Sequence, residues 1–167
     1  RWYSQVGLQQ ASGAATALHR AKRLATFGNV LELCTGIGGD ALALGACGVS
    51  VVSIEADPVL AAMARLNIDE AGFAQLVRIQ TGRAEDRVID GFDAVYADPS
   101  RRTGLSRSTS LKSISPSIEY VSDAIARVPA AAIKLAPASS ISEIRCFFPS
   151  AEIEFVSLNG ELKETVV

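Results

Sequence analysis

A glycine-rich turn between a short apolar strand and a helix constrains this sequence more than any other feature. Residues 30–34 form an apolar run with one acid, and the turn at residues 35–40 (TGIGGD) follows directly. Glycines at such a turn let the backbone approach a ligand closely, and amide N–H groups at the start of the next helix favour binding there. The segment therefore predicts an α/β protein with a ligand site at the end of its first strand.

The rest of the chain alternates between extended and helical patterns. Further strands are predicted at residues 49–55, 77–80, 94–97 and 130–135. Helices are predicted at residues 8–27, 38–47, 58–71 and 118–127, the third with Asp57 as its N-cap and Pro58 as its first residue. Strands that alternate with helices predict right-handed crossovers and a parallel sheet that is covered on both faces.

The C-terminal part departs from this alternation. Residues 152–157 and 161–167 are both extended, and Asn159-Gly160 between them is a strong signal for a hairpin turn. We therefore predict a doubly wound, Rossmann-like α/β sheet of seven strands, mostly parallel, with a C-terminal antiparallel hairpin. Such a sheet is similar to the class I methyltransferase fold and is unusual for a plain dinucleotide-binding dehydrogenase.

Length and composition suit one domain. The chain has 167 residues, of which 49% are hydrophobic and 20% charged, so it can bury a core and is not disordered by charge. We predict a single domain over residues 1–167, with a helical lead at residues 1–28 and a core at residues 29–167. Because the sequence begins with Arg1 rather than Met, we expect a piece of a longer protein.

Composition also excludes several classes of site. No apolar run reaches the roughly 18–20 residues of a membrane helix, so no membrane association is expected. The three cysteines have no CxxC spacing and there is one histidine, which argues against a disulfide framework, a metal centre and most catalytic triads. These features favour a cytoplasmic protein. Because the net charge is −2, nucleic-acid binding would need a local basic patch.

Two acids indicate which ligand the glycine turn binds. Glu32 ends the first strand, where its charge would repel a pyrophosphate but suits the ammonium group of S-adenosylmethionine. Glu55 ends the second strand, where a carboxylate can accept hydrogen bonds from both ribose hydroxyls. After the third strand, the backbone N–H of Ala84 or the side chain of Asp86 is expected to hold the adenine. The predicted donor site comprises Glu32, Cys34, Thr35, Gly36, Ile37, Gly38, Gly39, Asp40, Glu55, Ala56, Ala84 and Asp86.

A second constellation follows the fourth strand. Asp98-Pro99 comes at the carboxyl edge of the sheet, where open α/β folds bind their ligands. Amino-group methyltransferases commonly place an Asp/Asn-Pro-Pro-aromatic turn here, which accepts hydrogens from the target nitrogen and aims its lone pair at the methyl group. Catalysis can then depend on positioning more than on a strong base. Here Ser100 replaces the second proline and Arg101 the aromatic residue.

Basic residues near this turn indicate a phosphate-bearing substrate. Arg101 and Arg102 begin a Ser/Thr-rich loop without acids, and arginine is well suited to pair with phosphates. We therefore predict that both arginines bind substrate. A second basic run, at residues 19–23, is expected to be a solvated helix face, with a further RNA contact as the alternative.

The sequence resembles a bacterial and archaeal group of methylases that are often followed by a THUMP-like domain. The matching residues are Gln10-Ala11-Ser12, 33–40, 98–102 and the tail at 160–164. Trimethylguanosine synthases are similar at a greater distance. The resemblance implies a methyl-donor site at the glycine turn and an RNA-directed reaction. RNA methylases that form 5-methyluridine need a cysteine after the fifth strand; residues 133–137 have none, and Cys146 is expected to pack within an apolar helix.

These observations together predict an S-adenosylmethionine-dependent methyltransferase that acts on a base nitrogen of RNA, with Asp98 and Pro99 as the catalytic turn. Two alternatives stay open. Gly36-x-Gly38-x-x-Ala41 satisfies a relaxed nicotinamide fingerprint, which would suit an NAD-dependent oxidoreductase. The other alternative is a methyltransferase fold that has lost its activity and only binds RNA. It stays open because the aromatic residue of the catalytic turn is missing.

Overall fold

The computed structural model describes Trp2 and residues 13–101 and 110–167. Within these residues the strands are β1 (Asn29–Leu33), β2 (Ser50–Glu55), β3 (Val77–Thr81), β4 (Ala94–Ala97), β5 (Ser100–Arg101), β6 (Ile114–Ser115), β7 (Ala130–Leu135), β8 (Glu154–Leu158) and β9 (Glu161–Val166). The helices are α1 (Ala14–Leu24), α2 (Gly39–Ala46), α3 (Pro58–Glu70), α4 (Ile118–Ile125) and α5 (Ile141–Phe147). The predicted start of the first helix, residues 8–12, lies outside the described residues.

Seven of these strands form one sheet, in the order β3-β2-β1-β4-β7-β9-β8. The pairs among β1, β2, β3, β4 and β7 are all parallel. Strand β9 is antiparallel both to β7 and to β8. The predicted Rossmann-like sheet with a C-terminal antiparallel hairpin is therefore confirmed.

Local signals account for where the hairpin turns and where α3 begins. Asn159 and Gly160 have φ values of 55° and 79°, the left-handed conformation that both central residues of a type I′ hairpin turn require. At the start of α3, Oδ1 of Asp57 accepts hydrogen bonds from the amides of Val59 and Leu60, at 2.7 and 3.3 Å. With Pro58 as the first helical residue, this is the cap that the sequence predicts.

The core lies on both faces of the sheet, because successive residues of each strand point to opposite sides. Leu31 and Leu33 of β1 join the cluster formed with α4 and α5. Val30 of β1 and Tyr96 of β4 join the cluster formed with α1, α2 and α3. Each fully buried aliphatic side chain contributes about 1.5–3 kcal/mol relative to exposure. Tyr96 is thus a core residue, as expected.

Three parts of the structure differ from the expectations. The pair β5–β6 forms a separate two-stranded ribbon that no sequence signal predicted. Cys146 lies in α5 but is exposed, so the expectation that it packs is wrong. In the basic run at residues 19–23, Arg20 is 2% exposed, so this stretch is not a simple solvated face. No helix within the described ranges is long and apolar enough to cross a membrane.

Candidate functional site

A cavity of about 1030 Å³ opens at the carboxyl edge of the sheet, where β1, β2, β4 and β7 end. Sites at this edge are typical of open α/β folds. Most of the predicted site residues lie in its wall: Cys34, Thr35, Gly36, Ile37, Gly39, Asp40, Glu55, Ala56, Ala84, Asp98 and Pro99. Glu32, Gly38 and Asp86 do not line it. Arg101 lies in β5 and is not among the lining residues, whereas Arg102 lies outside the described residues.

The glycine turn has two residues in the left-handed conformation at the cavity. Gly36 has φ 57°, and a Cβ built on it would meet no atom within 4 Å, so its backbone faces open space. Cys34 has φ 66°, a conformation that costs a residue with a side chain roughly 1–2 kcal/mol. This conformation explains why a glycine usually stands at the position of Cys34. The turn keeps its shape despite the side chain.

Glu55 is held rigidly beside this turn. Its Oε2 accepts a hydrogen bond from the amide of Gly36 at 2.8 Å, and its Oε1 accepts one from the amide of Asp57 at 2.9 Å. A carboxylate oxygen can accept two hydrogen bonds, so each keeps a free position. Glu55 is therefore a pre-oriented acceptor for a pair of hydroxyl groups, which is the geometry predicted for ribose.

Glu32 lies beneath the turn rather than in the cavity wall. Its side chain is buried, and its Oε2 accepts hydrogen bonds from the hydroxyls of Thr35, at 2.7 Å, and Ser53. Burial, together with nearby Asp40, raises the pKa of Glu32 to about 8. A direct contact between Glu32 and the donor stays a prediction. In this structure its carboxyl group supports Thr35, which does line the cavity.

Two other predicted donor residues also lie outside the wall. Gly38 faces α3: a Cβ built on it would lie 3.3 Å from Cβ of Ala64, so glycine here permits the two helices to pack closely. Asp86 is exposed and does not line the cavity, whereas Ala84 does. Of the two residues predicted to hold adenine, Ala84 is the one at the cavity.

Another part of the cavity wall contains Asp98, which follows β4. Its amide donates to the carbonyl of Leu33 at 3.2 Å, and its Oδ2 accepts from Nζ of Lys134 at 2.6 Å. Burial raises the pKa of Asp98 to about 6, and the charge of Lys134 opposes this rise. Asp98 is therefore mostly ionised at neutral pH. Sequence analysis did not identify Lys134, although a single lysine in the otherwise apolar strand β7 was a visible signal.

A buried ion cluster joins α1 to the cavity. The guanidinium of Arg20 donates to the carboxylates of Asp40 in α2 and Glu164 in β9, and both acids line the cavity. The same guanidinium lies 5.6 Å from the centre of the Tyr96 ring. Burial alone would lower the pKa of Arg20, yet Tyr96 and the two acids raise it above its ordinary value. The basic helix face is thus partly structural.

The neighbours of Arg20 in α1 are also paired with acids. Nη1 of Arg23 lies 2.8 Å from Glu154, and His19 lies 2.7 Å from the same carboxylate. Arg23 also contacts Glu152 at 2.9 Å. These pairs tie the helix to the C-terminal hairpin, and they weaken the alternative that this face binds RNA.

The β5–β6 ribbon borders the cavity near Asp98. Ser100 pairs with Ser115 and Arg101 with Ile114, so the chain returns to the cavity immediately after the Asp98-Pro99 turn. The segment Ser110, Leu111, Ile114, Ser115 and Pro116 completes this wall. The thiol of Cys34 lies 3.9 Å from the carbonyl of Ser115, and burial raises the pKa of this thiol, so it is not a nucleophilic thiolate. Within the described residues no cluster of His, Cys, Asp and Glu could hold a metal ion.

Two curated proteins are similar to this chain in sequence. They are uncharacterised S-adenosylmethionine-dependent methyltransferases of Mycobacterium tuberculosis, from strains CDC 1551 and H37Rv, and each is 34% identical over 165 residues. The match covers 97% of this chain but 44% of each relative, so the chain spans less than half of their length. No model of a known protein family matches the chain.

Solved structures show the same architecture. A candidate methyltransferase of Porphyromonas gingivalis W83 superposes with a TM-score of 0.80 over 98% of this chain and 41% of its own, at 24% identity. The chain has the class I S-adenosylmethionine-dependent methyltransferase fold. An O-methyltransferase of Bacillus cereus with bound S-adenosylhomocysteine gives 0.69 at 17% identity, over 97% of this chain and 86% of that one. An RNA methyltransferase of Salinibacter ruber, also with S-adenosylhomocysteine, gives 0.59 at 22% identity, over 92% and 86%.

This identification also bears on the nicotinamide alternative. The antiparallel hairpin β8–β9 next to β7 is the feature that separates the methyltransferase fold from a plain dinucleotide-binding sheet. The names of both curated relatives agree with the predicted enzyme class and its cofactor. The glycine turn alone could not make this distinction.

Proposed function

We propose that the chain is the catalytic domain of an S-adenosylmethionine-dependent methyltransferase, and that it methylates a nitrogen of an RNA base. The observation that carries the proposal is the juxtaposition of two sites in one cavity. Glu55 and the glycine turn lie at one end, and Asp98 lies at the other, where β4 meets β7. We further propose that residues 1–167 form one domain, accompanied in the longer protein by the THUMP-like domain that the resemblance implies.

The residues at the first end fit the methyl donor. Glu55 has both carboxylate oxygens held by backbone amides, with a free position on each for the ribose hydroxyls. The open space over Gly36 admits the donor close to the backbone. Ligand pockets occupy about 300–1000 Å³, so a cavity of about 1030 Å³ leaves room for part of an acceptor.

The chemistry required of the protein is mainly orientation. S-adenosylmethionine supplies a methyl group on a sulfonium sulfur, and the S–C bond breaks as the acceptor lone pair forms a new bond to carbon. Asp98 accepts a hydrogen bond from the acceptor N–H, which directs the lone pair of the nitrogen toward the donor. The nitrogen loses this proton after it gains the methyl group, and the Asp98 carboxylate can receive it, since its pKa of about 6 lies near neutrality.

The choice of RNA is supported by charge and by one structural neighbour. Arg101 comes two residues after Pro99 in the sequence, and Arg102 begins a Ser/Thr-rich stretch without acids, which suits contact with phosphates. The similar fold from Salinibacter ruber is an RNA methyltransferase. The similar fold from Bacillus cereus is an O-methyltransferase, so the acceptor must be argued from the Asp98 turn rather than from the fold.

Donor binding is tested by thermal stabilisation. We expect S-adenosylhomocysteine to raise the melting temperature of the full-length protein and NAD to leave it unchanged, because a ligand stabilises the state it binds. Glu55→Ala should weaken binding at least about tenfold, since each hydrogen bond to a charged group is worth about 1.5–3 kcal/mol. Glu55→Gln, which keeps one acceptor oxygen, should lose less, and the exposed Glu119→Ala should bind normally. Stabilisation by NAD alone would instead support the oxidoreductase.

The RNA substrate is tested by salt dependence. Affinity of the full-length protein for total cellular RNA should fall as salt rises, because phosphate contacts release counterions. Arg102→Ala should reduce the slope of log affinity against log salt by about one contact, while Arg78→Ala, an exposed arginine of β3, should not. Affinity that is independent of salt, or no binding at all, would contradict an RNA substrate. RNA binding without methyl transfer would favour the alternative of a methyltransferase fold that only binds RNA.

A further inference from the structure

Lys134 of β7 lies in the cavity wall and makes a contact that the sequence did not predict. Its Nζ is 2.6 Å from Oδ2 of Asp98, and its side chain is only 17% exposed. The parallel register of β4 and β7 pairs Ala97 with Ile133. The next residues are Asp98, which directly follows β4, and Lys134, which lies within β7, so the two are side by side near the carboxyl edge of the sheet. Two core strands fix this pair, so it does not depend on flexible surface side chains.

The stability of the fold does not account for the pair. Transferring charges out of water is costly, and replacing a buried ion pair with apolar residues of similar volume is often neutral or stabilising. The strand around Lys134 is otherwise apolar, with Ile133 and Leu135 both buried in the core. An aliphatic residue would suit this position as a structural element. Lys134 lines the cavity and contacts Asp98, which is proposed to bind the methyl acceptor. We therefore look for a functional reason for the lysine.

We propose that Lys134 is the positioning residue at the site of the methyl acceptor. Lys134 holds Oδ2 of Asp98, and Oδ1 is then left to accept a hydrogen bond from the N–H of the nitrogen that is methylated. Within the described part of the chain, Oδ1 accepts no side-chain hydrogen bond. An ammonium group donates up to three hydrogen bonds, so a single contact to Asp98 also leaves Lys134 able to bind the acceptor. This inference rests on the role proposed for Asp98.

The charges around Asp98 make Lys134 its principal counter-ion. The titratable groups that face Asp98 from the surrounding elements are Lys134, Asp40, Arg20, Glu32, Cys34 and Tyr96. Lys134 and Arg20 lower the pKa of Asp98, and Asp40 raises it. Arg20 is already paired with Asp40 and Glu164. Without Lys134, burial would therefore raise the pKa of Asp98 further, and a larger fraction would be protonated at neutral pH.

The test compares Lys134→Met, Lys134→Gln and Lys134→Arg in the full-length protein. The first readout is the titration of the Asp98 carboxyl carbon by NMR, which needs no acceptor. Removal of the cation should raise its midpoint by about one to three pH units, while Lys134→Arg should stay close to the wild type. Two uncharged variants are used so that a folding defect in one of them does not prevent the measurement. Lys22→Met, at an exposed position of α1, is the control and should leave the titration unchanged.

The second readout is the pH profile of methyl transfer from labelled S-adenosylmethionine to total RNA from cells that lack the protein. The acidic limb should move to higher pH by the same one to three units in Lys134→Met. The ionised fraction of Asp98 at pH 7 then falls from about nine-tenths to between a half and a hundredth, so the rate should fall by about two- to hundredfold. Affinity for S-adenosylhomocysteine should be unchanged in every variant.

The outcomes separate this inference from the proposed function. If Asp98 titrates at the same pH in Lys134→Met, Lys134→Gln and the wild type, Lys134 does not act through Asp98 and the inference is overturned. If the titration moves but the pH profile does not, Asp98 is not the group that limits the rate, and the positioning role is overturned as well. If the wild-type protein methylates no RNA, the RNA proposal fails, and the NMR titration still decides whether Lys134 controls Asp98.

Discussion

Replacing Asp98 with alanine is expected to slow methyl transfer by about 10²–10³, the loss seen when one preorganised polar group is removed from an active site. The alanine variant cannot accept a hydrogen bond from the acceptor nitrogen, and it leaves Lys134 without its partner. Asp98→Asn keeps an acceptor oxygen and nearly the same shape, so it should retain more activity than Asp98→Ala. The measurement is the single-turnover rate with labelled S-adenosylmethionine and total RNA.

Donor binding distinguishes the two ends of the cavity in this experiment. Both Asp98 variants should bind S-adenosylhomocysteine with wild-type affinity, because Asp98 is assigned to the acceptor. The exposed Asp90→Ala is the matched control and should be fully active. A folded Asp98→Ala that binds donor and methylates at the wild-type rate would show that the acceptor site has been misplaced. Loss of donor binding would move Asp98 to the other end of the cavity.

Replacing Arg20 with methionine is expected to lower the free energy of unfolding by about 3–5 kcal/mol, the cost of removing one partner from a buried ion pair. Arg20 is 2% exposed and is shared by Asp40 and Glu164, which are themselves buried. Methionine has a similar length but removes the cation that these two buried carboxylates share. The change in the free energy of unfolding is measured by urea denaturation of the full-length protein, with a spectroscopic signal from this domain as the readout.

A surface pair in the same helix is the control. Arg23 contacts Glu152 and Glu154, but its side chain is 45% exposed. Exposed ion pairs contribute about 0.2–1 kcal/mol, so Arg23→Met should change the free energy of unfolding by little more than that. Equal effects of Arg20→Met and Arg23→Met would mean that the buried cluster does not attach α1 to the sheet. Arg20→Lys keeps the charge but loses the planar guanidinium that can donate to two carboxylates at once. Its free energy of unfolding should therefore lie between those of Arg20→Met and the wild type.

The strands and the C-terminal hairpin could be predicted because their signals are local. The cap at Asp57 and the turn at Asn159-Gly160 each depend on the conformational preferences of a few adjacent residues, and both are found as expected. Extended and helical patterns identified the strands of the sheet and the helices that pack on it. Residues at the end of a strand or directly after it, such as Glu55 and Asp98, could then be assigned to the carboxyl edge of the sheet, and both line the cavity.

The tertiary structure alone decided which side chains meet across the sheet. Lys134 and Asp98 are 36 residues apart, and Arg20 and Glu164 are 144 apart, so only the strand register and helix docking bring each pair together. The buried position of Arg20, on one face of α1 with Ala17, Ala21 and Leu24, was also decided by helix docking, because the basic run at residues 19–23 had predicted a solvated face. The direction of Glu32, beneath the turn toward Ser53, has the same origin. Sequence patterns identify the elements and where they end, whereas the burial and the partner of a side chain depend on elements that are distant in the chain.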